Sequence, residues 1–211
     1  MAVMAADTPH PLADTAPPRP GLRERKKLKT RIAIRTATYR LIAEQGYEAT
    51  TVEQIAEAAE VSPSTVFRYF PAKEDIVITD EYDSLMESAL RARPADEPLV
   101  ESLRVVVTQA LRHSLTHEPE EMLTRSRLLT EVPAVRARMM ESISVTGRML
   151  CEVVAERTGR RADDLDVRVI SMGFVAALME TTVYWAERGR QDDLIALVDR
   201  TLDTLDHGFR L

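Results

Sequence analysis

The chain is poor in the residues that build cross-linked or nucleotide-binding folds: 211 residues contain one cysteine, one tryptophan, seven glycines and 5% aromatics. A lone cysteine, Cys151, excludes a disulfide framework. The scattered glycines form no phosphate-cradling loop, no dinucleotide turn and no nucleophile elbow, so neither catalysis nor a bound cofactor is expected. No segment pairs a positive start with a continuous apolar middle, as a secretory signal would. The most apolar run, Met172 to Met179, is too short to span a bilayer, so a cytoplasmic protein without a membrane partner is expected. Strand-like alternation and internal repeats are also missing.

What is present is helix. Residues 50–75, TTVEQIAEAAEVSPSTVFRYFPAKED, spell two short capped helices joined by a tight turn. Thr51 is placed to cap a helix over 52–59, with Gln54 three residues on to complete a capping box. Glu60, Val61 and Ser62 make the turn, Ser62 is the next N-cap and Pro63 takes the first helical position, where its missing N–H costs nothing. This second helix is expected to run through Phe70. The apolar positions Ile55, Ala56, Ala59, Val61, Val66 and Phe70 are those at which two crossed helices touch. Ser64, Thr65, Arg68 and Tyr69 are left to project outward, as side chains entering a major groove must. Upstream, residues 31–45 carry the helical stripe Ile34, Ala37, Thr38, Leu41 and Ile42, which ends at Gly46.

Charge is divided unevenly. The whole chain has a formal net charge of −6, yet residues 19–80 hold 11 Lys and Arg against 9 Asp and Glu. Arg19, Arg23, Arg25, Lys26, Lys27, Lys29, Arg31 and Arg35 crowd the approach to the first helix. They suit an arm lying on phosphates or reaching a minor groove, and equally a solvated basic tail. An acidic body discourages nonspecific coating of a duplex. Residues 1–21, with five prolines and no periodic apolar face, are expected to be a disordered tail.

The stretch RIAIRTATYRLIAEQGYEATTVEQIAEAAEVSPSTVFRYFPAKEDIV resembles the N-terminal domain of the tetracycline-repressor (TetR) family of bacterial regulators. It joins stripe, glycine, capped helix, serine-started helix, aromatic pair and lysine at that family's spacings. The resemblance implies an all-α fold: a three-helix, helix-turn-helix DNA-binding head over residues 22–75, and a larger helical effector-binding and dimerisation domain over 76–211. It also implies a homodimer, a double-stranded DNA operator and a small-molecule effector. Carried over by position, Thr51 would touch phosphate, Pro63, Ser64, Thr65, Phe67 and Arg68 would face bases or the sugar edge, and Tyr69 and Lys73 would hold phosphate. Glu60 stands where the family usually has glycine. If the turn keeps its shape, Glu60 sits at positive φ at a cost of about 1 kcal/mol.

Beyond residue 75 the pattern predicts helices over 73–92, 98–116, 119–131, 133–158, 163–188 and 191–208, nine in all with the head. The last two carry enough apolar surface to close a four-helix bundle with a second copy, or to complete the monomer core. A cavity is expected from Leu103, Val107, Met122, Met139, Ile143, Met172, Met179 and Trp185, since methionine adapts to irregular apolar ligands; the same residues also read as plain core. Arg125, Arg127, Arg136 and Arg138, flanking Pro133, are placed to receive an anionic head group or to stand solvated. The run from Glu131 onward is similar to regulators of the mycofactocin-regulator kind, for which fatty acyl-CoA effectors are implied. His113 and His117 stand four apart, but no further ligand supports a metal, and Cys151 reads as a buried thiol. The expected function is a dimeric, ligand-released repressor on a palindromic operator. A DNA-binding architectural or constitutive factor without an effector is the alternative, and a helical ligand carrier that has lost DNA binding is a third.

Overall fold

The computed structural model describes residues 21–79 and 82–208. Among the described residues there are ten α-helices and no strand: α1 Leu22–Gln45, α2 Val52–Ala58, α3 Pro63–Tyr69, α4 Lys73–Ile78, α5 Tyr82–Arg91, α6 Leu99–His117, α7 Pro119–Glu131, α8 Pro133–Thr158, α9 Leu165–Glu187 and α10 Leu194–Asp206. The expected disordered tail, apart from Gly21, lies outside the described residues.

Two elements differ from expectation. The single helix expected over 73–92 is two, because Thr79 is extended at φ −83°, ψ 130°. Ile76, Val77, Ile78 and Thr79 are all β-branched and resist helix at χ1, and Ile76 and Val77 are fully buried in two different clusters. The expected boundary at residue 75 therefore falls inside α4. The second difference is α1, which starts nine residues early: LRERKKLKT is rich in good helix formers, so the basic approach is a helix and not an extended arm.

Three apolar clusters hold the molecule. In the head, Ile34 of α1, Ile55 and Ala56 of α2, Val66 of α3, Phe70 and Ile76 pack together. Full burial of each large side chain contributes about 1.5–3 kcal/mol, which is what keeps three short helices folded. In the body, Leu103 and Val106 of α6, Val153 and Val154 of α8, Phe174 and Trp185 of α9, and Val198 and Leu202 of α10 form the main core. The third cluster joins the two: Ile42, Tyr47 and Val77 from the head side meet Leu128, Leu129, Val132 and Val135 from α7 and α8.

Helix α9 is the centre of the body and packs on α7, α8 and α10. Contrary to the expectation from its short apolar middle, it is by length and composition alone apolar enough to cross a membrane, and 33% of that stretch is buried inside the chain. Gly147 on α8 lets α9 approach closely, for a Cβ there would strike Sδ of Met172. Val169, Ile170, Gly173 and Ala176 of α9 remain exposed. Helix α10 instead buries its stripe, Leu194, Leu197, Val198 and Leu202, and turns Ala196, Arg200 and Asp203 outward.

Candidate nucleic-acid interface and effector cavity

The head is built by local hydrogen bonds. Thr51 Oγ1 accepts from Gln54 N at 3.3 Å and Gln54 Oε1 accepts from Thr51 N at 2.9 Å, closing the capping box at the start of α2. Gln45 at the end of α1 donates to the same Oε1 at 2.9 Å, tying the two helices. The turn closes through Val61 N to Ala56 O at 2.9 Å, with Glu60 at φ 54°. That is left-handed backbone on a residue with a Cβ, strained by about 1 kcal/mol. Ser62 Oγ then accepts from Thr65 N at 3.2 Å, and α3 begins at Pro63.

This geometry fixes which side chains point away. Pro63, Ser64, Phe67 and Arg68 are exposed, with Phe67 half accessible at 50%, while Thr65 and Tyr69 are half-buried. Ser64, Phe67 and Arg68 share one face by their i, i+3, i+4 spacing. The Arg68 guanidinium lies 5.3 Å from the Tyr69 ring centre, a cation–π distance that limits its rotamers. An exposed apolar ring beside a five-donor fork suits a groove presenting thymine methyls and guanine acceptors.

Lys73 is placed differently from its expected phosphate contact. Its Nζ donates to Tyr47 O and Thr50 O, both at 3.0 Å, and lies 3.9 Å from the Tyr47 ring centre. Two of its three donors are thus spent on the loop before Thr51. Tyr47 in turn donates its hydroxyl to Glu74 Oε1 at 2.6 Å, and burial, reinforced by that carboxylate, pushes its ionisation upward. Nothing in the sequence separates this loop staple from a phosphate contact, because both need a lysine at the start of α4.

Arg25, Lys26, Lys27 and Lys29 are exposed on α1. With 24 residues, α1 is about 36 Å long, so its basic end projects well past the head core. Arg35 breaks this set: it is 4% exposed and faces the body.

A cavity of about 290 Å³ lies inside the body, between α5, α6, α7, α8, α9 and α10. Leu103, Val107, Met122, Met139, Ile143 and Met179 line it. Met172 does not, being spent on the close α8–α9 approach at Gly147. Neither does Trp185, whose buried indole donates Nε1–H to Asp192 O at 2.9 Å and fastens the turn after α9. Phe174, Ser142 and Thr146 line it without having been expected. Ser114 and Thr182 add two more hydroxyls to a lining that is otherwise apolar, and among the described residues Arg125 is its one cation and Glu87 its one carboxylate. Of the other arginines near Pro133, Arg138 donates to Asp75 at 2.6 and 3.1 Å and Arg127 lies 3.7 Å from Glu131. The His113 and His117 rings stack at 4.1 Å, and among the described residues no group of three or more metal-type ligands forms. Cys151 is buried.

A capped helix pair braced by a basic helix, set on an all-helical body with an apolar cavity, defines a DNA-binding regulator with a helix-turn-helix head. Residues 34–78 match the family model for bacterial regulatory proteins, tetR family, and residues 97–210 match the MftR C-terminal domain. The HTH-type transcriptional regulator TcmR of Streptomyces glaucescens is 34% identical over 167 residues, 76% of this chain and 74% of its own. The fatty acid metabolism regulator protein of Bacillus subtilis (strain 168) is 25% identical over 180 residues, 82% of this chain and 91% of its own. Among solved structures, FadR from Bacillus subtilis in complex with stearoyl-CoA aligns with a TM-score of 0.54 at 25% identity, covering 85% of this chain and 99% of that one. The chain belongs to the TetR family of bacterial transcriptional regulators.

Proposed function

We propose that this chain is a ligand-released repressor, which as a homodimer holds a palindromic operator through α3 and lets go when a small apolar or amphipathic molecule fills the body. The observation that carries this reading is the cavity of about 290 Å³, lined almost wholly by apolar side chains and walled by α7 and α8, the helices that touch the head. That volume sits at the lower edge of ligand sites in general. Relatives support the ligand class: FadR of Bacillus subtilis was solved with stearoyl-CoA, and FadR of Thermus thermophilus with lauroyl-CoA.

On DNA, Arg68 reads bases with Ser64, Thr65, Pro63 and Phe67 around it, Thr51 and Tyr69 hold phosphates, and the basic end of α1 lies along the backbone. Two copies meet on the exposed face of α9 around Val169, Gly173 and Ala176, with the polar outer edge of α10 as rim. A two-fold pair sets the heads about 34 Å apart, one turn of B-DNA. A ligand preferring a different head separation then empties the operator.

The test is selection of bound duplexes from a random pool, followed by titration of the selected complex with lauroyl-CoA under fluorescence anisotropy. A palindromic consensus and loss of binding on titration are expected. Selection of no consensus would sink the DNA reading, and a complex indifferent to every acyl-CoA and fatty acid tried would leave a constitutive binder.

A further inference from the structure

Arg35 is a buried charge that neither DNA contact nor the cavity employs. Its side chain is 5% exposed, and its Nη2 donates to Glu121 Oε2 at 2.8 Å and lies 3.9 Å from Glu118 Oε2. Its Nε is buried without a hydrogen-bond partner. Burial, followed by the attraction of Arg35 and the repulsion of Glu118, sets the Glu121 carboxyl, with a net push upward. An ion pair this incompletely satisfied is a poor source of stability, since apolar residues of the same shape serve as well or better. What the pair does is join two elements: Arg35 belongs to α1 of the head and Glu121 to α7 of the body.

Both helices have a second face that matters. One residue after Glu121, Met122 lines the cavity, as do Arg125 and Leu129 further along α7. Arg125 also donates Nε–H to Tyr39 Oη at 3.4 Å, and Tyr39 donates its hydroxyl to Val77 O at 2.9 Å. On α1, Ile34 shares the head cluster with Val66 and Phe70 at the recognition helix, and Arg31 stacks over the Phe70 ring at 5.0 Å. Helix α7 therefore has the cavity on one side and, through Arg35, the helix that carries α3 on the other.

We propose that the Arg35–Glu121 contact is the device by which an occupied cavity acts on the head. A molecule wedged against Met122 and Leu129 displaces α7, carries Glu121 away from Arg35 and frees α1 to turn with the recognition helix packed on it. This rests on the ligand-release reading above. The Asp75–Arg138 pair joins α4 to α8 and is the competing route.

The experiment uses the full chain with the double change Arg35→Met and Glu121→Leu, which keeps bulk and removes the charges. Lauroyl-CoA binding is measured by calorimetry without DNA, and operator release by anisotropy. The wild type is expected to lose operator affinity by at least about tenfold at saturating lauroyl-CoA, a typical coupling. The double variant is expected to bind lauroyl-CoA as the wild type does, to hold the operator already about tenfold more weakly than the wild type, and to lose less than about twofold more on adding lauroyl-CoA. Full release from the double variant overturns the proposal and leaves the ligand reading intact. If circular dichroism shows the double variant unfolded, Glu121→Gln replaces it, with a halved release expected and unchanged release overturning the proposal. Absence of lauroyl-CoA binding to the wild type is covered by Val107→Trp, a built-in occupant of the cavity. Its loss of operator affinity must appear with the ion pair present and be absent when it is added to the double variant, and an equal loss in both backgrounds overturns the proposal.

Discussion

Arg68 and Lys73 stand five residues apart and do different work. Arg68→Ala is expected to cost about 1–3 kcal/mol of operator binding and to relax base preference at one position per half-site, read by repeating the selection with the variant. Lys73→Ala removes the ammonium donor from the carbonyls of Tyr47 and Thr50, of which Tyr47 O keeps Thr50 N–H at 3.2 Å. It is therefore expected to lower stability by about 1–3 kcal/mol with little change in the salt dependence of binding. A melting curve and a salt titration separate these outcomes, since a lost phosphate contact would reduce the salt slope by about one. At this scale the sequence was legible wherever hydrogen bonds are local. The Thr51–Gln54 box and the Ser62 cap follow from neighbours within four positions, whereas the positive φ of Glu60 was implied by the family's usual glycine at that turn. Arg35 was not legible, because its partner lies 86 residues away and a basic run gives no sign of which member turns inward.

Elements carry charge and packing as units. Replacing Arg25, Lys26, Lys27 and Lys29 of α1 together by alanine is expected to lower the salt slope by up to about 3–4 while leaving the selected consensus unchanged, because phosphate contacts carry no sequence information. A shifted consensus would place α1 in a groove instead of on the backbone. Between α5 and α6, the Arg93 guanidinium, helped by the Ser102 hydroxyl, holds the Glu97 carboxyl at about 2, below its ordinary 4.5. A depressed carboxylate contributes stability that is complete above the unfolded value and lost as pH falls through the folded one. The difference in stability between wild type and Glu97→Gln is thus expected to be flat above about pH 5 and to shrink toward pH 2, measured by denaturant unfolding across that range. The break between α4 and α5 shows what element-scale reading misses. Periodicity runs through residues 73–92, and the helix stops at Thr79 because Ile76 and Val77 are claimed by separate clusters. Met172 and Trp185 make the same point: helical spacing names an inward face, and only the neighbouring helix decides between cavity wall and contact.

For the whole molecule, the exposed apolar face of α9 needs cover. Val169→Asp places a carboxylate on it and is expected to convert the proposed dimer to a monomer in sedimentation equilibrium, with operator affinity falling to that of a half-site. The cluster formed by Ile42, Tyr47, Val77, Leu128, Leu129, Val132 and Val135 has a consequence of its own. Because one oily joint belongs to both domains, this reader of DNA is not a detachable cartridge. A swap with another regulator's would graft cleanly only if the junction at α4 were moved past Val77 and the receiving sockets on α7 and α8 were recut to match.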